Sequence, residues 1–185
     1  MDLIYKKDPQ LSVIAILIVT ASIIMLFGTI ISSLYVLKVR TQVPFTLNSE
    51  ALLLGLVNTV ILIFSSLSYQ KYAKVFNTRQ WGSYGIWLLL TIGCGILFLA
   101  GQSWLWYNLT SVGSGILAGQ LSAIFYLITG LHGIHIISGL LALCWLYATN
   151  TSNERHHHTR IRTVGIFWHF LTILWILLYI VIILQ

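Results

Sequence analysis

The stretch LSVIAILIVTASIIMLFGTIISSLYVL, Leu11 to Leu37, contains no charged residue. It exceeds the roughly 20 apolar residues that a helix needs to cross the hydrocarbon core of a bilayer. Four further stretches of the same kind follow, at about 51–70, 82–104, 116–147 and 164–184. The first and fourth are long enough to tilt or to project beyond the bilayer. Composition points the same way. Hydrophobic residues make up 58% of the chain and charged residues only 8%, against roughly 25% charged in a soluble domain. A water-facing surface cannot be built from so few charges. The expected fold is all-α: one membrane domain over residues 1–185, a bundle of five transmembrane helices with no internal repeat and no soluble domain.

Orientation follows from the basic residues. There are ten Lys/Arg against four Asp/Glu, a net charge of +6. With five spans, Lys6, Lys7, Lys71, Lys74, Arg79, Arg155, Arg160 and Arg162 fall on one side, and only Lys38 and Arg40 on the other. This asymmetry predicts a cytoplasmic N-terminus and an external C-terminus. The positive charge is then explained by topology and by anionic lipid, and no nucleic-acid partner is expected. The residues before Leu11 lack a small-residue cleavage site after a short apolar core, so the first span is expected to be retained. Trp104, Trp106 and Tyr107 fall where an outer aromatic belt would lie. Cys94 and Cys144 both sit inside apolar runs, so no disulfide framework is visible. The run His156-His157-His158 reads as part of a solvated interfacial loop, since consecutive residues do not converge on one metal ion without a special loop.

The acidic residues Asp2, Asp8, Glu50 and Glu154 all lie outside the spans. Proton and ion pathways in membranes usually run through buried carboxylates, and transporter sites are usually marked by broken helices. Neither feature occurs here, which argues against a pump or a proton-coupled transporter. Three histidines do lie within spans: His132 and His135 in the fourth and His169 in the fifth. His132 and His135 are three residues apart and share a helix face. Two readings are open. The histidines could ligate a haem or a metal, although a two-haem cytochrome needs four in paired depths. Alternatively they hydrogen-bond between helices and fix packing. Gly130, Gly133 and Gly139 accompany them, with Gly115 and Gly119 at the outer end. That places the fourth span at the centre of the bundle, with little lipid contact. Gly93 and Gly95 suggest a similar close approach in the third.

Phe125-Tyr126-Leu127-Ile128-Thr129-Gly130-Leu131-His132-Gly133-Ile134-His135 resembles the signature of subunit III of haem-copper terminal oxidases. Trp168-His169-Phe170 followed by Trp175 resembles that family's last helix. Asn58-Thr59 with Ser65-Ser66, Phe98-Leu99 with Gln102 and Trp106, and Ala21-Ser22 with Met25-Leu26-Phe27-Gly28 are similar to further segments of it. The resemblance covers all five spans in order, and the length suits the family's short, five-helix form. There are departures. The family usually carries acids where this chain has Ile23, Leu105 and Thr172.

The resemblance implies a subunit with no catalytic residue and no redox centre of its own. Haem and copper would reside in partner subunits. The chain would pack against the catalytic subunit I, with subunit II and other respiratory-chain subunits nearby, and hold structural phospholipid in the inner (plasma) membrane. On this reading Thr129, Gly130, His132, Gly133, His135, Trp168, His169 and Trp175 serve packing, and none binds metal. The three acid-to-neutral changes imply that it relays no protons. Two alternatives remain at this level: the related accessory subunit of nitric oxide reductases, and a haem-bearing membrane cytochrome.

Overall fold

The computed structural model describes residues 9–41, 49–77, 84–111, 119–149 and 154–183. These form five helices: α1 (Pro9–Thr41), α2 (Ser49–Asn77), α3 (Tyr84–Ser111), α4 (Gln120–Ala148) and α5 (Glu154–Ile183). All five are long and apolar enough to cross a membrane. At 1.5 Å rise per residue, helices of 28 to 33 residues measure roughly 42–50 Å. That matches a bilayer with its headgroup layers rather than the hydrocarbon core alone.

The helices therefore continue past the ends of the apolar runs. α2 runs on through Lys71 and Lys74, and α3 through Tyr107 to Ser111. The largest difference is in α5. It begins at Glu154, ten residues before the apolar run, so the histidine triplet is helical and not part of a loop. The physical reason is that hydropathy marks where side chains leave the hydrocarbon. Intrahelical hydrogen bonding has no cause to stop there, and long polar side chains can reach the headgroup layer from a continuing helix. Charges at the helix ends suit the helix dipole: Glu50 lies in the first turn of α2, and Lys38 and Arg40 in the last turn of α1. Lys6, Lys7, Arg79, Pro44 and Gly115 lie outside the described residues.

Neighbouring helices run antiparallel. Ser65 of α2 meets Thr91 of α3, Trp106 of α3 meets Thr129 of α4, and Gly139 of α4 meets Trp168 of α5. α2 and α3 form the most extensive pair, and α5 packs against α1, α2 and α4. α5 is the most enclosed span, with 44% of it buried, and α1 the least, with 17%. The expectation that the fourth span occupies the centre needs correction. α4 shares the interior with α5 and presents Leu127, Ile134, Ile137 and Leu141 outward. Its glycines also differ in use. A Cβ on Gly139 would meet the Trp168 indole at 3.0 Å, whereas one on Gly133 or Gly119 would meet nothing within 4 Å. A Cβ on Gly95 of α3 would meet Leu140 at 2.7 Å and the same indole at 3.0 Å. Trp168, 1% exposed, thus fills a slot that glycines on α3 and α4 leave open.

Candidate functional site

The interior is held by a polar seam between α2 and α5. From one end to the other, the Tyr179 hydroxyl donates to the Leu52 carbonyl (2.8 Å) and Trp175 Nε1 donates to Thr59 Oγ1 (3.1 Å). Trp168 Nε1 donates to Ser65 Oγ (3.3 Å), and His169 Nδ1 is hydrogen-bonded to Ser66 Oγ (2.6 Å). At the far end the Tyr69 hydroxyl donates to the Ile161 carbonyl (2.7 Å). Ser65 in turn donates to the Thr91 carbonyl (3.0 Å), which ties α3 into the seam. The α2 positions, 52, 59, 65, 66 and 69, are spaced close to whole helical turns, so the polar groups stay near one face of the helix. Apolar surface gives little net attraction between helices in lipid, so such bonds and close packing carry the specificity.

The three span histidines take three different environments. His169 is the seam member just described, and its ring also meets Tyr69 edge-on, 5.8 Å between centroids. His135 donates from Nδ1 to the Leu131 carbonyl of its own helix (2.7 Å). His132 is 0% exposed, and neither ring nitrogen has a hydrogen-bond partner. Its imidazole is enclosed by Trp175, Phe98 and Phe27, at 5.2, 5.9 and 6.4 Å between centroids. The three rings come from α1, α3 and α5. Interhelical hydrogen bonding, one of the two readings of these histidines, applies to His169 and not to the other two. Among the described residues, no three His, Cys, Asp or Glu side chains converge as a metal site.

This geometry ranks the histidines by what their loss should do. His169→Leu removes a bond between helices, and interhelical hydrogen bonds in membranes average about 0.6 kcal/mol with a maximum near 1.7. The midpoint of denaturant unfolding in detergent should fall accordingly. His132→Leu removes no partner and deletes an unpaired buried polar ring, so the midpoint should hold or rise. A larger loss for His132→Leu than for His169→Leu would contradict this assignment.

Other residues of the signature meet side chains of neighbouring helices. Thr129 donates to the Phe125 carbonyl (2.8 Å) and accepts from Trp106 Nε1 (3.2 Å). Gly130 lets the same indole lie against α4, at 3.4 Å from where a Cβ would stand. The three positions where acids were expected by resemblance are all interior: Ile23, Leu105 and Thr172 are buried, and Thr172 donates to the Trp168 carbonyl (3.2 Å). Sequence reasoning assigned no role to Tyr69 or Tyr179, because a tyrosine hydroxyl reaching a backbone carbonyl leaves no pattern in sequence. Asn58 was noted only as part of a motif. Its side-chain amide packs directly on Gly101 of α3, a contact that only glycine admits.

At the end of the bundle where α2 and α4 finish and α3 and α5 begin, cations lie over aromatic rings. Lys71 Nζ sits 4.6 Å from the Trp87 ring, and the Arg160 guanidinium 4.6 Å from the Trp145 ring. The Phe76 ring meets His157 at a tilt and His158 edge-on, at 4.8 and 5.1 Å between centroids. His157 is buried, so it belongs to a helix contact rather than to a solvated loop.

Comparison with known proteins agrees with this arrangement. The family model described as cytochrome c oxidase subunit III matches residues 10–184. A probable cytochrome c oxidase subunit 3 of Mycobacterium leprae is 34% identical over 67% of this chain and 62% of that protein. A cytochrome c oxidase subunit 3 of Synechocystis is 32% identical over 71% of this chain and 56% of that protein. A probable cytochrome c oxidase subunit 3 of Nocardia farcinica is 28% identical over 91% of this chain and 85% of that protein. The chain thus spans about three fifths of the first two relatives and most of the third. With a match that runs through all five helices, the chain belongs to the cytochrome c oxidase subunit III family.

Proposed function

We propose that the chain is an accessory subunit of a haem-copper terminal oxidase in an aerobic respiratory chain. It stabilises the catalytic subunit and holds structural phospholipid, and it carries no redox centre and no catalytic residue. The family match along residues 10–184 is the observation that carries this reading. The interior supports it. The seam between α2 and α5 pairs its polar side chains across helices, and aromatic rings surround His132. Haem and copper belong in this view to subunit I and subunit II. The exposed Leu, Ile and Val faces of α2, α4 and α5 suit lipid or the apolar helices of such partners. The named relatives are oxidase subunits, which favours this reading over an accessory subunit of nitric oxide reductase. A haem-bearing cytochrome would need ligands that His132, caged by rings, does not offer. Isolation in mild detergent tests the proposal. Haem proteins should co-purify with the chain, and the chain separated from them should show no Soret band. A Soret band in the separated chain would refute the reading.

The N-terminus lies in the cytoplasm and the C-terminus outside the plasma membrane, on the strength of the basic asymmetry. Lys71, Lys74, Arg160 and Arg162, near the ends of α2 and α5, share the end that faces the cytoplasm. A cysteine placed at Ser111 should then react with an impermeant thiol reagent in intact cells, and one at Asn153 should not. The opposite pattern would invert the topology.

A further inference from the structure

Gln102 of α3 is 3% exposed, and neither its amide nitrogen nor its amide oxygen has a hydrogen-bond partner. The same side chain lines a partly open cavity of about 20 Å³ between α2, α3, α4 and α5, whose lining includes Gly55, Leu105, Thr129 and Trp175. The rest of the lining is almost wholly apolar. Ala51, near the start of α2, and Ile182, near the end of α5, also line it, while Gln102 and Thr129 stand about two and a half helical turns in from the end of α3 and the start of α4.

An amide cannot be left unpaired at this depth without a large desolvation penalty, because no bulk water is present to replace the lost bonds. The neighbouring helices do not supply its partner. Thr129 Oγ1 already donates to the Phe125 carbonyl and accepts from Trp106, yet a hydroxyl oxygen has two lone pairs and can accept a second bond. A cavity needs roughly 10–15 Å³ and two to four polar partners to hold a water. Size and chemistry both meet that condition. We propose that this cavity is a structural water site, in which one water molecule is held by the Gln102 amide and the Thr129 hydroxyl and joins α3 to α4 inside the bundle. A lipid chain is the competing occupant. It would match the apolar wall but would leave the Gln102 amide unpaired. Leu105 forms part of that wall and offers the amide no polar partner.

A density map of the detergent-solubilised assembly in which the chain is isolated, at a resolution that shows ordered waters, tests the site directly. The expected result is a compact peak within hydrogen-bond distance of Gln102. Gln102→Leu should remove that peak and lower the folding equilibrium constant of the subunit about threefold, the factor that corresponds to an average hydrogen bond between membrane helices. An elongated tube of density would assign the cavity to a lipid chain and overturn the proposal. So would a cavity without density together with an unchanged or more stable Gln102→Leu variant. These readouts do not depend on which partner subunits accompany the chain.

Discussion

Replacing Trp168 with alanine should be the most damaging single substitution in this bundle. The indole is 1% exposed and fills the slot between Gly95 and Gly139, and its Nε1 donates to Ser65. In a soluble protein, Trp→Ala loses both a transfer term and a cavity term. In a membrane the transfer term largely drops out, since the unfolded reference also keeps the side chain in an apolar medium. The cavity term remains, at ~24 cal/mol per Å³ left unfilled, which for an indole amounts to about 2–4 kcal/mol. The lost hydrogen bond adds about 0.6 kcal/mol. Filling the slot from the other side should hurt as well. Gly139→Leu places carbon where Trp168 and Leu171 already stand, at 3.0 and 3.1 Å from the new Cβ, and overpacking of this kind costs about 1–3 kcal/mol. Gly133→Leu, on the same helix, meets open space and should leave the isolated subunit unchanged. Denaturant titration in detergent micelles measures all three. A Trp168→Ala loss below that of His169→Leu would show that the slot is not where the bundle is held.

Much of this arrangement is legible in the sequence, and the limits have physical causes. Apolar length alone gives five spans, because the bilayer imposes one scale on every helix. Helix ends are misjudged wherever the helix continues into the headgroup layer, as at His156–His158. The signature Thr129-Gly130-Leu131-His132-Gly133-Ile134-His135 draws attention to α4, and α4 does line the interior. Its roles cannot be divided from sequence, however. Gly139 is a close approach and Gly133 is not, and the difference depends on where Trp168 of another helix points. His132 and His169 look alike as histidines in apolar runs. One is caged by Phe27, Phe98 and Trp175, and the other is bonded to Ser66, because their neighbours come from helices distant in the chain. The neutral side chains at Ile23, Leu105 and Thr172 are plain in the sequence. That the buried Gln102 amide has no hydrogen-bond partner emerges only from the packing of four helices.

The most direct test of a stabilising role compares an oxidase that contains this chain with the same oxidase from cells that lack it. Initial turnover should be nearly the same in the two, because Ile23, Leu105 and Thr172 cannot exchange protons near neutral pH and the described residues form no metal site. The active lifetime should be clearly shorter without the chain, since on the proposed reading its helices and bound lipid support the catalytic subunit. Activity followed to exhaustion under continuous turnover gives both quantities from one trace. An oxidase without the chain that starts equally fast and then decays sooner is the expected result. An initial rate that collapses while the surviving activity decays at the normal pace would contradict a stabilising role and place this subunit in the chemistry itself.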